Sequence, residues 1–130
     1  MTGCKVLMGQ FQRALIRLDE VLMQEPNDFM RDSAVQRFEF VFDLAWKSIK
    51  AHLHEVHGVV CASPKKCFRE AYRLGIIEYD QIWLQATDDR NEIAHMYKEE
   101  LAQELYQKLP SYLKCFQALA RVLSQPIAKN

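Results

Sequence analysis

Residues 88–97 read Asp88-Asp89-Arg90-Asn91-Glu92-Ile93-Ala94-His95-Met96-Tyr97. They end a pattern of side chains at alternating steps of three and four, formed by Ile76, Tyr79, Trp83, Ala86, Arg90, Ile93 and Tyr97. This spacing predicts a helix that carries Arg90 on its mostly apolar face. An arginine there needs an ion partner, a second chain or a ligand, because burying an unpaired charge costs several kcal/mol.

His95 lies five residues after Arg90, which is about 140° around an ideal helix at roughly 100° per residue. One continuous helix therefore cannot aim both side chains at one point. Two alternatives follow from this geometry. Either the helix breaks near Ala94, or two chains contribute to one site.

Outward from this stretch, apolar periodicity and helix-end signals predict further helices over about residues 4–24, 28–56, 64–74 and 99–123. Asn27 or Asp28 caps the second helix, Gly58 closes it, and Asp80 is a candidate cap for the helix that carries Arg90. Ser63 and Pro64 begin the third helix, which stops at Gly75. Pro110 predicts a kink or two shorter helices at the end of the chain. No strand-like alternation or internal repeat is visible, so we expect an all-α, up-and-down bundle of about five helices.

The length, composition and charge of the chain indicate which broad class of protein it belongs to. With 130 residues and 49% hydrophobic content, the chain is predicted to form one domain, 1–130, around a real core. The 17 basic and 17 acidic residues cancel, so a polyanion must be recognised locally. No apolar run approaches the roughly 20 residues of a membrane span, and no signal peptide is evident. Cys4, Cys61, Cys67 and Cys115 form no CxxC pair, which favours reduced thiols in a cytoplasmic protein.

Two clusters give weaker indications of chemistry. His52, His54 and His57 lie near Cys61, but their spacing matches no closed zinc pattern, and we expect no metal site. Cys67 lies on the apolar face of the third helix, where a packed small side chain is a simpler interpretation than a nucleophile.

The third helix also carries a cationic ridge, defined here as Lys65, Arg69 and Arg73, which are spaced four residues apart. Such a ridge is most often a solvated helix face. The alternative is a strip that contacts phosphates, which a neutral protein would need in order to bind RNA.

The pattern Arg-x4-His-x-Tyr, formed by Arg90, His95 and Tyr97 at the end of a helix, resembles the signature of HEPN domains. The closer resemblance is to a bacterial subgroup encoded beside a minimal nucleotidyltransferase and described as nucleotidyltransferase substrate-binding proteins. It extends along most of the chain and includes residues 36–47, Ser63-Pro64 with residues 68–71, and residues 83–97. Lys98 departs from the commonest pattern, because relatives often have an Asp-like cap there.

The resemblance implies a homodimeric, metal-independent ribonuclease without a cofactor, in which the Arg and His of two protomers meet across a two-fold axis. His95 would act as general base or acid, Arg90 would stabilise the anionic phosphorane, and Asn91 would orient the reacting groups. Tyr97 would accept AMP from the partner nucleotidyltransferase, and the modification would block RNA. A two-fold axis would also resolve the wide angle between Arg90 and His95.

The sequence alone is also compatible with three other interpretations. Arg90 and His95 could simply form salt bridges to Asp88, Asp89 or Glu92 at a helix end. The protein could be a non-catalytic, dimeric subunit that presents a substrate to a separate nucleotidyltransferase. It could also be an entirely structural bundle.

Overall fold

The computed structural model describes residues 3–78 and 81–126. In these ranges the chain forms helices and no strand, which confirms the predicted all-α bundle. The helices are α1 (Gly3–Leu22), α2 (Asp28–His57), α3 (Pro64–Arg73), α4 (Gln81–Asn91) and α5 (Glu99–Leu123), with a short 3-10 segment at Ile93–His95. None of the helices in the described ranges has the length and apolarity needed to cross a membrane. The predicted roles of Tyr79 and Asp80 lie outside the described residues.

The ends of α2 and α3 are formed by the residues that the sequence indicated. Asn27 caps α2, because its side-chain oxygen accepts a hydrogen bond from the Met30 backbone N–H at 2.8 Å. Gly58 ends that helix with φ of 66°, and Gly75 follows α3 with φ of 76°, both in the left-handed region that glycine adopts without strain. Ser63 is the cap residue of α3, although its side chain makes no capping hydrogen bond.

The last helix differs from one part of the expectation. Pro110 lies inside α5, which continues as one helix from Glu99 to Leu123, so two shorter helices are not formed. Pro110 is exposed. The proline ring thus lies on the solvent side of α5, where a backbone carbonyl that lacks a helical donor can be hydrated.

Aromatic side chains from four helices form the centre of the bundle. The fully buried Phe38 ring packs against Phe42, Tyr112 and Phe116, with ring centroids 6.2, 5.6 and 6.2 Å away. Trp83 of α4 packs between Phe68 and Phe116, at 5.0 and 5.3 Å. Truncating a buried aromatic of this kind typically costs about 3–5 kcal/mol. Trp83 therefore fixes α4 on the core two turns before Arg90.

The cysteines correct the expectation of four reduced thiols. Cys61, in the connection between α2 and α3, forms a disulfide with Cys67 of α3, and their Cα atoms are 5.2 Å apart. The pairing arises because the chain turns into α3 and brings two residues separated by six positions together, which needs no CxxC motif. Cys4 and Cys115 remain thiols. Because two of the four cysteines are paired, the cysteines no longer support the inference that the protein lies in a reducing compartment.

Candidate catalytic site at the end of the fourth helix

The chain breaks its helix between Arg90 and His95. Helix α4 ends at Asn91, a 3-10 segment covers Ile93–His95, and α5 begins at Glu99. The helix break of the first geometric alternative is therefore present, starting a few residues earlier than Ala94, and it is compatible with a site built by two chains. The apolar face does not continue to Tyr97 as predicted, because the turn leaves its side chain 76% exposed.

Arg90 is held by two carboxylates of α2. Its Nε and Nη2 atoms donate to the two carboxylate oxygens of Asp43 at 3.2 and 3.3 Å. Its Nη1 atom lies 3.3 Å from Oε2 of Glu39. The side chain of Arg90 is 30% exposed, so the guanidinium lies at the edge of the core and still reaches solvent.

This arrangement sets the charge of the site. The hydrogen bond from Arg90 to Asp43 raises the pKa of the guanidinium above its ordinary value, and the nearby Glu39 adds to the effect. One cation between two carboxylates gives a local charge of about −1 when all three are ionised. A guanidinium has five N–H groups, and the hydrogen bonds to Asp43 use two of them. Arg90 thus keeps hydrogen-bonding capacity for an anion.

The two residues before Arg90 attach α4 to other helices. The Asp88 carboxylate pairs with Nζ of Lys65 on α3 at 2.8 Å. The Asp89 carboxylate accepts hydrogen bonds from the Tyr112 hydroxyl at 2.5 Å and from Lys108 at 3.3 Å, both on α5. Three consecutive residues therefore bind α4 to three different helices. The interpretation in which Asp88 or Asp89 pairs with Arg90 is wrong.

His95 and Tyr97 lie together on the exposed turn. Their rings meet edge to face, with centroids 6.4 Å apart. Asn91 is exposed at the end of α4. Among the described residues, no hydrogen bond joins Arg90 to His95, and the bonds of Arg90 go to Asp43 of α2 instead.

The cationic ridge is partly neutralised within the chain. Lys65 pairs with Asp88, and Arg73 donates to Glu70 at 2.6 Å. Arg69 is exposed and makes no ion pair in the described part of the chain. The solvated-face interpretation thus fits Lys65 and Arg73 well, and Arg69 is the member of the ridge with its charge uncompensated.

The histidines of α2 form a pair near the end of that helix. The rings of His52 and His57 are 5.5 Å apart. Burial lowers the pKa of His52 below its ordinary value, and the neighbouring His57 lowers it further. Across residues 3–78 and 81–126, no group of three or more potential ligand side chains is placed to hold a metal ion.

Asp43 and Glu39 are the site residues that the sequence analysis missed. Both lie in the run from 36 to 47, four residues apart on a helix whose neighbouring positions are mostly apolar. Two carboxylates at that spacing share one helix face, and a mostly apolar stretch of helix has little reason to carry them without a cationic partner. This spacing, together with a lone arginine on another apolar face, could have predicted that Glu39 and Asp43 pair with Arg90.

Comparisons with known proteins agree with this architecture. A Haemophilus influenzae protein named probable ribonuclease HepT is 31% identical over 90 residues, which span 66% of this chain and 62% of that protein. A crystal structure from Thermus thermophilus superposes with a TM-score of 0.85 at 34% identity, covering 88% of this chain and 99% of the other. A Haemophilus influenzae structure, described as the fold of a substrate binding domain of a nucleotidyltransferase, gives a TM-score of 0.79 at 25% identity over 91% and 99% of the two chains. The family model described as "nucleotidyltransferase substrate binding protein like" matches residues 7–125, and the chain belongs to this family.

Proposed function

We propose that this protein is the toxin of a toxin–antitoxin pair with a minimal nucleotidyltransferase, and that it cleaves RNA in the cytoplasm without a metal ion. The observation that carries the proposal is the placement of Arg90 and His95. Arg90 is fixed by α2 and keeps N–H donors, while His95 is exposed on the following turn and, among the described residues, shares no hydrogen bond with it. In a dimer, each chain would then supply Arg90 to one site and His95 to the other.

The chemistry assigned to this pair is an internal transesterification. His95 removes the proton of the ribose 2′-hydroxyl or protonates the leaving 5′-oxygen. The bond from the 2′-oxygen to phosphorus forms while the bond to the 5′-oxygen breaks, which leaves a cyclic phosphate and a 5′-hydroxyl. Arg90 stabilises the extra negative charge of the phosphorane, and Asn91 helps to orient the phosphate.

A homodimer would supply the missing half of the site. In a two-fold assembly the Arg90 of one protomer can face the His95 of its partner. Phe40 supports a contact surface here, because it lies on α2 between Glu39 and Asp43 and is 44% exposed. Tyr97 adds a second exposed aromatic side chain on the turn. Exposed aromatic surface beside charged residues is typical of protein interfaces.

Tyr97 is the proposed point of control by the nucleotidyltransferase. Its hydroxyl would attack the α-phosphorus of ATP and release pyrophosphate, which leaves AMP on the tyrosine. The 76% exposure of Tyr97 makes it accessible to a partner enzyme. Because the Tyr97 ring contacts the His95 ring, the added bulk and negative charge would lie beside the proposed general base and oppose the binding of RNA.

RNA would approach the site along α3. Lys65 connects the cationic ridge to α4 through Asp88, two residues before Arg90. Arg69 has no carboxylate partner among the described residues, so its charge is available to the phosphate backbone of the RNA. Arg73 and Lys65 would have to exchange their carboxylate partners for phosphates. We therefore assign most of the phosphate contact on this ridge to Arg69.

A second candidate function is a non-catalytic subunit that presents a substrate to the nucleotidyltransferase. The observation that favours it is the pair of carboxylates around Arg90, because a site with excess negative charge opposes the approach of phosphate. In that case the Arg90 cluster would be structural and the exposed turn would contact the partner enzyme.

Cleavage of a defined RNA transcript in EDTA separates the two functions. The proposal predicts cleavage by the wild type and none by His95→Ala, with helicity and dimerisation intact. His54→Ala is the matched control, because His54 is another exposed histidine and lies far along α2 from Asp43. A wild-type protein that binds the nucleotidyltransferase yet neither cleaves RNA nor accepts AMP on Tyr97 contradicts the proposal and supports the second candidate.

A further inference from the structure

We infer that Asp43 is a positioning residue for Arg90: it fixes the plane of the guanidinium so that one edge stays directed at the scissile phosphate. This inference deepens the proposed function and rests on it for the identity of the anion. The contact between Arg90 and α2 can be tested without any RNA.

The two carboxylates around Arg90 make different kinds of contact. Asp43 engages both Nε and Nη2, at 3.2 and 3.3 Å, so it occupies a whole edge of the planar group. Glu39 approaches one atom, Nη1, at 3.3 Å, and makes no aligned hydrogen bond. Two parallel hydrogen bonds fix the orientation of a guanidinium, whereas a single charge contact leaves it able to turn.

The edge that Asp43 leaves unoccupied is the one an anion needs. With Nε and Nη2 facing Asp43, the remaining parallel pair of N–H groups lies on Nη1 and Nη2. This second edge can donate two hydrogen bonds to a phosphate, and its geometry matches two phosphate oxygens. Glu39 lies at the Nη1 side of this edge and repels an incoming anion. Asp43 therefore orients the arginine, and Glu39 opposes phosphate binding.

The backbone of the site is arranged to make this orientation rigid. Asp43 follows the fully buried Phe42 on α2, and Arg90 follows the buried Ala86 and Thr87 on α4. The Thr87 hydroxyl donates to the Trp83 carbonyl within α4 at 2.8 Å. Because both helices pack on the aromatic core, the backbones that carry Asp43 and Arg90 are held in place, and the contact between the two side chains sets the orientation of the guanidinium.

Nuclear magnetic resonance of the arginine Nε–H tests the contact directly. The resonance of Arg90 is assigned as the one missing from Arg90→Lys. We expect it to be protected from exchange with water in the wild type and in Glu39→Gln, and to lose that protection in Asp43→Asn. Equal exchange in the wild type and Asp43→Asn would overturn the assignment of Asp43, whether or not the protein cleaves RNA.

Kinetics of RNA cleavage test the consequence of the contact. Asp43→Asn should lower kcat at least about tenfold, since misplacing a catalytic group by about 1 Å can cost a hundredfold. Asp43→Glu keeps the charge and shifts the carboxylate by one methylene, so it should lower kcat as well. Glu39→Gln removes the same charge from the other side of Arg90 and should lower KM instead. Asp28→Asn, which removes one of the two carboxylate partners of Arg31 on α2, is the unchanged control.

The outcomes separate the inference from the proposed function. Normal kcat in Asp43→Glu, with circular dichroism like the wild type, would overturn the positioning role even if Asp43→Asn failed to fold. A parallel fall in kcat for Asp43→Asn and Glu39→Gln would also overturn it, because that result reports charge and not orientation. A wild type that cleaves no RNA would refute the ribonuclease function, and the exchange measurement would still decide the role of Asp43.

Discussion

Replacing Tyr112 with phenylalanine should destabilise the protein through one hydrogen bond. The Tyr112 hydroxyl donates to the Asp89 carboxylate at 2.5 Å, and the residue is only 3% exposed. Burial, followed by the contact with Asp89, raises the pKa of Tyr112 far above its ordinary value, so the hydroxyl keeps the proton that it donates. Phenylalanine keeps the stacked contact with Phe38 and removes only the donor.

The expected loss follows from the charge of the acceptor. A hydrogen bond to a charged group contributes about 1.5–3 kcal/mol to stability. The side chain of Asp89 is 20% exposed and keeps Lys108 as a partner, which favours a value of about 2 kcal/mol. For a chain of this size, that corresponds to a fall in Tm of about 8 °C, at roughly 4 °C per kcal/mol.

Urea denaturation of the wild type, Tyr112→Phe, Asp89→Asn and the double variant measures this contribution as a coupling free energy. Tyr72→Phe is the matched control, because Tyr72 is 48% exposed and its loss of a hydroxyl should cost little. A loss below about 0.5 kcal/mol in Tyr112→Phe would contradict the value expected for a bond to a charged acceptor. So would simple additivity of the two single variants, since it would show that the residues do not interact.

Three further predictions concern other parts of the molecule. Unreduced protein in denaturant should present two reactive thiols per chain and four after reduction, and four thiols without a reductant would show that Cys61 and Cys67 are not paired. Since the folded pKa of His52 lies below its ordinary 6.5, the unfolded chain binds more protons near that value, and stability should fall as pH drops through 6.5. His52→Gln should reduce this loss between pH 7.5 and 5.5, and an unchanged pH dependence in urea melts would refute the assignment. Arg69→Ala should weaken RNA binding and reduce the slope of log affinity against log salt concentration by about one. An unchanged slope would show that Arg69 contacts solvent and not a phosphate.

Local signals predicted the helices well because helix ends depend on local physical chemistry. Asn27 accepts a hydrogen bond from an N–H three residues away, and Gly58 adopts a conformation that other residues find costly. Both effects can be inferred from neighbouring residues. Pro110 shows the limit of this reasoning, since its effect on α5 depends on which side of the helix meets solvent, and that is decided by the packing of the bundle.

The site was only half predictable because its contacts join distant parts of the chain. Arg90 was identified from its position on an apolar face, but its partner Asp43 lies 47 residues earlier. The pairing of Cys61 with Cys67 likewise depends on the path of the connection into α3. Tyr97 was expected to extend the apolar face, and it is exposed because the chain leaves the helix after Asn91. Periodicity in the sequence identifies the apolar face of a helix, whereas the packing of the whole chain decides which residues contact that face.

A mixed dimer gives the most direct test of the central claim, that two chains build one ribonuclease site. Arg90→Ala and His95→Ala chains, carrying different tags, would be co-expressed and purified as a heterodimer for RNA cleavage in EDTA. If Arg90 of one protomer acts with His95 of the other, the heterodimer keeps one intact pair and should recover about half of the wild-type rate, although each parent homodimer is inactive. A heterodimer as inactive as its parents would contradict the claim, because it would place both groups of each site in the same chain.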